Sequence, residues 1–354
     1  MPDVAKVQHK LIATTTKGLE KISLDELSDK ISNFGLTAVA DKKITFTTDT
    51  LPKSPKMFRT IDDLGLFVSE FTASNLDEIL LNISKINFNT NINLIKTIRN
   101  LNPVFSVTIT KFKPRINLEN YYEELIAIIS QQTNFKYNKT DHTNLDIRIF
   151  IEESKIIVSV KLFSKSLFFR DYRIHSQKGA LKPSIAGAML YYIENPVATK
   201  KRVVDILCGS GTFLCEAVLN DNEVYGCDIS KESVKATINN LKFLYKSKRV
   251  NPTNLRNKIK VCDATKTNLS TNYFDIGLSN FPWDKQIKTD SITKLYDGAI
   301  HEYSRILKPD GKLALLGYKP DLMIKLIKKH FKSKQIETMQ IGYLGQNPTI
   351  VFVT

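Results

Sequence analysis

Two short stretches hold the residues best suited to chemistry. The first, residues 202–212, is an apolar run that ends in Asp205 and continues through Cys208, Gly209, Gly211 and Thr212. Glycines let a backbone turn sharply and come close to a ligand. A dinucleotide fingerprint needs a third glycine three positions later, and Leu214 stands there instead. A carboxylate just before the glycines is poorly placed for a pyrophosphate and well placed for a cationic ammonium. S-adenosylmethionine carries an ammonium and a sulfonium and no phosphate, so it fits the pattern. The other reading is a strand-end acid that caps the next helix.

The second stretch, residues 274–283, is an apolar run that ends in Asn280, Phe281, Pro282 and Trp283. Asn280 offers an acceptor, the Phe281 and Pro282 carbonyls offer more, and Trp283, the single tryptophan, offers a stacking face. Such a set can hold an exocyclic amine of a flipped-out base. Acceptors around the amine aim its lone pair at a methyl group, and orientation supplies most of the acceleration of an in-line displacement. They also stabilise the cation that develops on the base. Two more strand ends complete the set. Asp228, followed by Ile229, can accept from ribose hydroxyls. Asp263 can accept from an adenine amine, and the Ala264 amide can donate to the ring. An acid after a strand also serves as an ordinary turn residue.

These residues need a parallel sheet to bring them together. From residue 183 the pattern alternates: helix 184–194, strand 202–207, helix 212–220, strand 223–227, helix 230–243, strands 258–262 and 273–279, helix 292–307, strand 311–317 and helix 320–331. Runs 336–343 and 348–354 read as a closing antiparallel hairpin. The expected class is α/β, a class I (Rossmann-like) sheet over 181–354. Upstream, strands at 10–17, 36–40, 43–48, 64–71, 105–110, 145–151 and 155–162 mix with helices starting at 19 and spanning 75–83, 91–99 and 118–130. A short helix is expected at 57–61. This is an α+β pattern.

Between these parts, residues 166–180 read as a basic linker. Arg170, Arg173, Lys178 and, just after it, Lys182 are interleaved with Phe168, Phe169 and Tyr172. Basic and aromatic residues together suit phosphates and stacked bases. Lys111, Lys113 and Arg115 form a second basic cluster. The chain of 354 residues carries a formal charge of +15, which attracts polyanions, nucleic acid first among them. An ordinary lysine-rich solvated surface would look the same. Four cysteines, none in a C-x-x-C pair, and five histidines give no zinc signature, so no metal is expected. The cysteines sit in apolar runs and read as buried reduced thiols, which fits a cytoplasmic location. No apolar run is long enough to span a membrane, and the N-terminus has no signal-peptide core.

At this point the sequence resembles the THUMP-domain RNA methyltransferases that act on the N2 amine of guanosine. The likeness runs through 13–27, through 145–189 and through the two motifs. Phe281 stands where the first proline of the family's Asn/Asp-Pro-Pro-aromatic motif is usual. The resemblance implies a ferredoxin-like domain over 1–65, a THUMP domain over 66–165, and methylation of tRNA in the acceptor-stem region. It also raises a small zinc-binding activating subunit as a partner. Ribosomal or small nuclear RNA is the alternative substrate. An RNA-binding adaptor without activity of its own is the alternative class. DNA is not expected, because the N-terminal domains are of the RNA type.

Overall fold

The computed structural model describes residues 8–112, 121–177, 179–194, 200–250, 254–282 and 289–354. The chain divides into two compact units: Met1–Thr15 with Leu27–Leu167, and Thr16–Glu26 with Phe168–Thr354.

The first unit holds β1 (His9–Thr14), the end of α1 (Glu20–Lys30), β2 (Gly35–Ala40), β3 (Lys43–Thr48) and β4 (Asp63–Thr72). It continues with α2 (Leu76–Ser84), α3 (Phe88–Lys96), β5 (Val104–Phe112), α4 (Tyr122–Thr133), β6 (Lys136–Tyr137), β7 (Leu145–Glu152) and β8 (Lys155–Lys161). All eight strands form one sheet in the order β2-β3-β1-β4-β8-β7-β5-β6. Strands β7, β5 and β6 run parallel, and the other pairs are antiparallel. Strand alternation puts successive side chains on opposite faces. In β7, Leu145, Ile147, Ile149 and Ile151 share one face and are buried. On the other face, Arg148 pairs with Asp63 at 2.7 Å and with Asp146 at 3.2 Å. The expected boundary between residues 65 and 66 falls inside β4, so the two expected N-terminal domains share a continuous sheet. Strand β6 has two residues, too few for a periodic signal. The short helix expected at 57–61 is a 3-10 turn at Pro55–Met57.

The second unit holds α5 (Pro183–Glu194), β9 (Arg202–Asp205), α6 (Thr212–Leu219), β10 (Glu223–Asp228), α7 (Lys231–Ser247), α8 (Leu255–Lys258) and β11 (Ile259–Val261). Then come β12 (Phe274–Asn280), α9 (Thr289–Ile306), β13 (Leu307–Gly317), α10 (Pro320–His330), β14 (Ile336–Gln340) and β15 (Thr349–Val353). The sheet order is β11-β10-β9-β12-β13-β15-β14. The first five strands are parallel, and β15 is antiparallel to both β13 and β14. This is the expected Rossmann-like sheet with its closing hairpin. The order reverses at β9, which lies between β10 and β12, and ligands of doubly wound sheets bind at such a switch point. Helix α9 buries Ile292, Tyr296, Ala299, Ile300, Tyr303 and Ile306, a stripe at helical spacing. Leu19 and Ile22 belong to the core of this unit, beside Tyr172, Leu181 and Ile341.

Candidate functional site

The site is built on the strand ends around β9. Gly209 has φ +51° and Gly211 has φ +81°, a left-handed backbone that glycine adopts at little cost. A Cβ on Gly209 would meet nothing within 4 Å, so the chain there faces open space. A Cβ on Gly211 would come within 2.8 Å of Thr237 Cγ2. Helix α7 holds the loop from the closed side. The Thr237 hydroxyl donates to the Gly209 carbonyl at 2.8 Å, and Asn240 Nδ2 donates to the Ser210 carbonyl at 2.8 Å. Thr212 opens α6 and is buried.

Asp205, at the end of β9, is 2 % exposed. One carboxyl oxygen accepts from Leu207 N–H at 3.0 Å and lies 2.6 Å from the Ser279 hydroxyl. Burial raises its pKa to about 7; the Ser279 and Leu207 hydrogen bonds pull the other way, and the charge of Asp228 adds to the rise. Asp228 ends β10 and accepts from Gly209 N–H and Ser230 N–H, each at 2.9 Å. Ile229 beside it is 75 % exposed. Asp263 follows β11 and is exposed, accepting from the Thr265 N–H and hydroxyl, both at 2.8 Å. Ala264 is buried.

Asn280 is the last residue of β12 and is half-buried. Phe281 is buried, with its ring edge-on to Tyr296 at 4.5 Å, so the residue in the first proline's position serves the core. The Pro282 carbonyl accepts from the Tyr296 hydroxyl at 3.1 Å. A carbonyl oxygen has two lone pairs, so this bond orients the carbonyl and leaves one acceptor site on it. Trp283 lies outside the described residues.

The Cys208 thiol is buried as expected, 3.7 Å from the Thr237 hydroxyl, and its backbone lies in the glycine loop. Several expectations are corrected. Arg170 and Tyr172 were expected to meet RNA. Both point inward to the buried Glu216 of α6, Arg170 Nε at 2.9 Å and the Tyr172 hydroxyl at 2.7 Å, because a sealed carboxylate must be paired. Within residues 168–177 Tyr172 is buried, while Phe169, Asp171, Ile174, His175 and Ser176 are exposed. The His175 carbonyl accepts from Asn240, and the Gln177 side chain accepts from Ser233. Cys227 and Cys262 are disulfide-bonded, with Cα atoms 5.6 Å apart, and Cys208 and Cys215 are the free buried pair.

The other basic residues are divided between the two units. Arg173 donates to Ser176 at 2.9 Å. Lys182 lies 4.9 Å above the Phe168 ring, which stacks on Phe169, itself 67 % exposed. Lys111 is on β5, in the first unit. Lys113, Arg115 and Lys178 lie outside the described residues. Among the described residues no cluster of His, Cys, Asp and Glu could hold a metal ion, and no helix is long and apolar enough to cross a membrane.

The sequence reading missed Ser279, Thr237, Asn240 and Tyr303. Ser279 stands directly before Asn280 in the stretch 274–283, and the other three belong to no motif.

An acid ending β9, an open glycine turn, an acid ending β10 and an exposed Ile229 suit a ligand with an ammonium, a ribose and a planar base. S-adenosylmethionine has all three. Comparison with known proteins agrees. The family model described as RMKL-like, methyltransferase domain, matches residues 170–348, more than half of the chain. The U6 snRNA (guanine-N(2))-methyltransferase THUMPD2 of Homo sapiens is 29% identical over 184 residues, 50% of this chain and 33% of that protein. The tRNA (guanine(10)-N2)-dimethyltransferase of Methanocaldococcus jannaschii is 30% identical over 135 residues, 37% of this chain and 38% of that protein. The chain thus spans little more than a third of the length of these relatives. The crystal structure of TrmN from Thermus thermophilus superposes with a TM-score of 0.77 at 17% identity, covering 98% of this chain and 99% of that one, a likeness of fold. By the extent of the domain match, this chain belongs to the RMKL-like methyltransferase-domain family.

Proposed function

We propose that the chain is an S-adenosylmethionine-dependent RNA (guanine-N2)-methyltransferase whose substrate is tRNA. The observation that carries the reading is the adjacency of β9 and β12. Val204 pairs with Gly277, and the Ser279 hydroxyl reaches Asp205 across 2.6 Å. Asp205, read as the anchor of the cofactor ammonium, and Asn280, read as the holder of the guanine amine, thus end neighbouring strands. The cofactor supplies an electrophilic methyl group. Asp205 and the turn at Gly209 to Gly211 fix the donor, and Asp228, Ile229, Asp263 and Ala264 hold its nucleoside. The Asn280 side-chain carbonyl accepts from the exocyclic amine and keeps its lone pair on line with the methyl group, with Trp283 stacking on the base. The Pro282 carbonyl, oriented by the Tyr296 hydroxyl, accepts from the same amine with its second lone pair.

In the same reading, residues 66–165 act as a THUMP domain that grips the tRNA, and the target lies in the acceptor-stem region. Arg173, Lys182 and the Phe168–Phe169 pair meet the RNA backbone and bases. Small nuclear RNA is the second reading, favoured by the likeness to the human U6 enzyme.

The test is methyl transfer from labelled S-adenosylmethionine to tRNA, ribosomal RNA and small nuclear RNA from cells lacking the protein, followed by nucleoside analysis. N2-methylguanosine in tRNA supports the main reading. The same product in another RNA keeps the chemistry and changes the substrate. Label in another nucleoside ends the guanine-N2 reading. Absence of label with the cofactor bound turns attention to an activating subunit.

A further inference from the structure

Under the site lies a run of hydroxyl groups that the transfer reaction leaves unused. Ser279 Oγ is 2.6 Å from Asp205 Oδ1 and 2.6 Å from the Tyr303 hydroxyl. That hydroxyl is 2.9 Å from the Leu278 carbonyl and accepts from Ile206 N–H at 3.2 Å. Asp205, Ser279 and Tyr303 are all buried, and they come from β9, β12 and α9. A Cβ on Gly277 would stand 2.7 Å from the Tyr303 ring, so glycine there admits the tyrosine.

Hydrogen counting decides what this run can do. Three contacts need one hydrogen each: Asp205 to Ser279, Ser279 to Tyr303, and Tyr303 to the Leu278 carbonyl. A hydroxyl has a single hydrogen, and an ionised carboxylate has none. With Asp205 ionised, two hydrogens serve three contacts, and one pair of oxygens meets unbridged inside the core, where that is costly. With Asp205 protonated, three hydrogens serve three contacts. Asp205 then donates to Ser279, Ser279 to Tyr303, and Tyr303 to Leu278.

Three other observations bear on the balance. The negative charge of Asp228 at the end of β10 disfavours ionisation of Asp205. The Cys208 thiol in the glycine loop and the Tyr303 phenol on α9 are pushed far up by burial and stay neutral. Burial carries Asp205 itself to about 7.

We infer that Asp205, Ser279 and Tyr303 form a proton-coupled seat for the cofactor. On the acid side of neutrality the cofactor-free protein holds Asp205 protonated, and the arriving ammonium expels that proton. The inference rests on the reading that Asp205 faces that ammonium. The O–H bond of the Asp205 carboxyl breaks and its proton leaves to solvent. The Ser279 hydrogen swings from Tyr303 to the carboxylate, and the Tyr303 hydrogen swings from Leu278 to Ser279. Ser279 and Tyr303 are positioning residues.

The test is calorimetric titration of the full chain with S-adenosylmethionine at about pH 6, in two buffers of different ionisation enthalpy. At that pH the cofactor's own amino group stays protonated, since such groups titrate near roughly 7.7–8. On the order of one proton should be released per cofactor bound, and Asp205→Asn should release none. Below the midpoint the apparent affinity should fall about tenfold per pH unit. Ser279→Ala removes the donor to the carboxylate and should move that midpoint up. Tyr303→Phe removes the acceptor of the Ser279 hydrogen in the neutral chain and the donor to Ser279 in the ionised chain, so it should move the midpoint less than Ser279→Ala does.

A uniform loss of affinity at every pH in both variants would assign them a structural role and overturn the inference. So would a wild type that releases no proton while Asp205→Asn still binds more weakly. If Asp205→Asn binds the cofactor as tightly as the wild type, the reading of the cofactor site fails, and the inference falls with it.

Discussion

Arg170 and Glu216 form a sealed ion pair 2.9 Å apart, the arginine side chain 10% exposed and the glutamate 0%. Tyr172 donates to the same carboxylate. Removing one partner of a buried pair leaves an uncompensated charge and costs about 3–5 kcal/mol. Arg170→Ala should therefore lower the stability of the second unit by that order in denaturant melts. Its salt slope for RNA binding should match the wild type. A shallower slope at unchanged stability would return Arg170 to the RNA surface.

Arg173 should behave in the opposite way. Arg173→Ala should leave the melting curve nearly unchanged, weaken RNA binding across sequences and reduce the salt slope by about 1. Phe169→Ala should lower affinity without changing the slope, because stacking releases no counterions. Binding isotherms at a series of salt concentrations separate the two effects.

The two loop glycines should differ. Gly211→Ala must fit a Cβ against Thr237, so it should destabilise the fold as well as the loop. Gly209→Ala has open space before it and bears the left-handed strain of about 1–2 kcal/mol. It should fold, yet bind S-adenosylmethionine at least about tenfold more weakly, a change of roughly 1.4 kcal/mol. Calorimetry of the folded variant checks this, and full affinity would mean that the open face of the loop is not the cofactor's.

Asn280 should separate turnover from binding. Asn280→Ala should lower kcat by about 10²–10³-fold, the usual effect of losing one oriented polar group, with cofactor affinity close to wild type. Asp205→Ala should abolish cofactor binding and leave RNA binding nearly intact. Equal losses of turnover and cofactor affinity in Asn280→Ala would point to a disturbed strand end instead.

Stability should depend on pH through Asp205. Its folded pKa lies at about 7, above the ordinary 3.8, so between those values the folded chain keeps a proton that the unfolded chain has released. The stability from this group is full below about pH 4 and drains as the pH rises to about 7. Melts of the cofactor-free protein from about pH 5 to about pH 8 should show this loss, on the order of a few kcal/mol. Asp205→Asn should flatten the curve. An unchanged slope in that variant would assign the dependence to other groups.

The sequence by itself determined the elements and the chemistry offered at their ends. Residues 202–207, 223–227 and 273–279 are apolar runs closed by an acid or an amide, and the structure has β9, β10 and β12 there. Residue type permits the positive φ of Gly209 and Gly211, and the stripe of α9 follows from spacing. These features are local, fixed by the period of side chains along one element. Only the tertiary structure decided which side chains meet. Arg170 and Tyr172 look like an RNA-facing pair until Glu216, far along the chain, is found buried beneath them. Cys227 and Cys262 read as separate thiols until β10 and β11 run side by side. Ser279 and Tyr303 carry no motif, and they matter because β12 and α9 bring both hydroxyls to Asp205. Burial is a property of the packed whole: it turns an acid into a group that titrates near neutrality and an arginine into a core residue, and no local pattern records it.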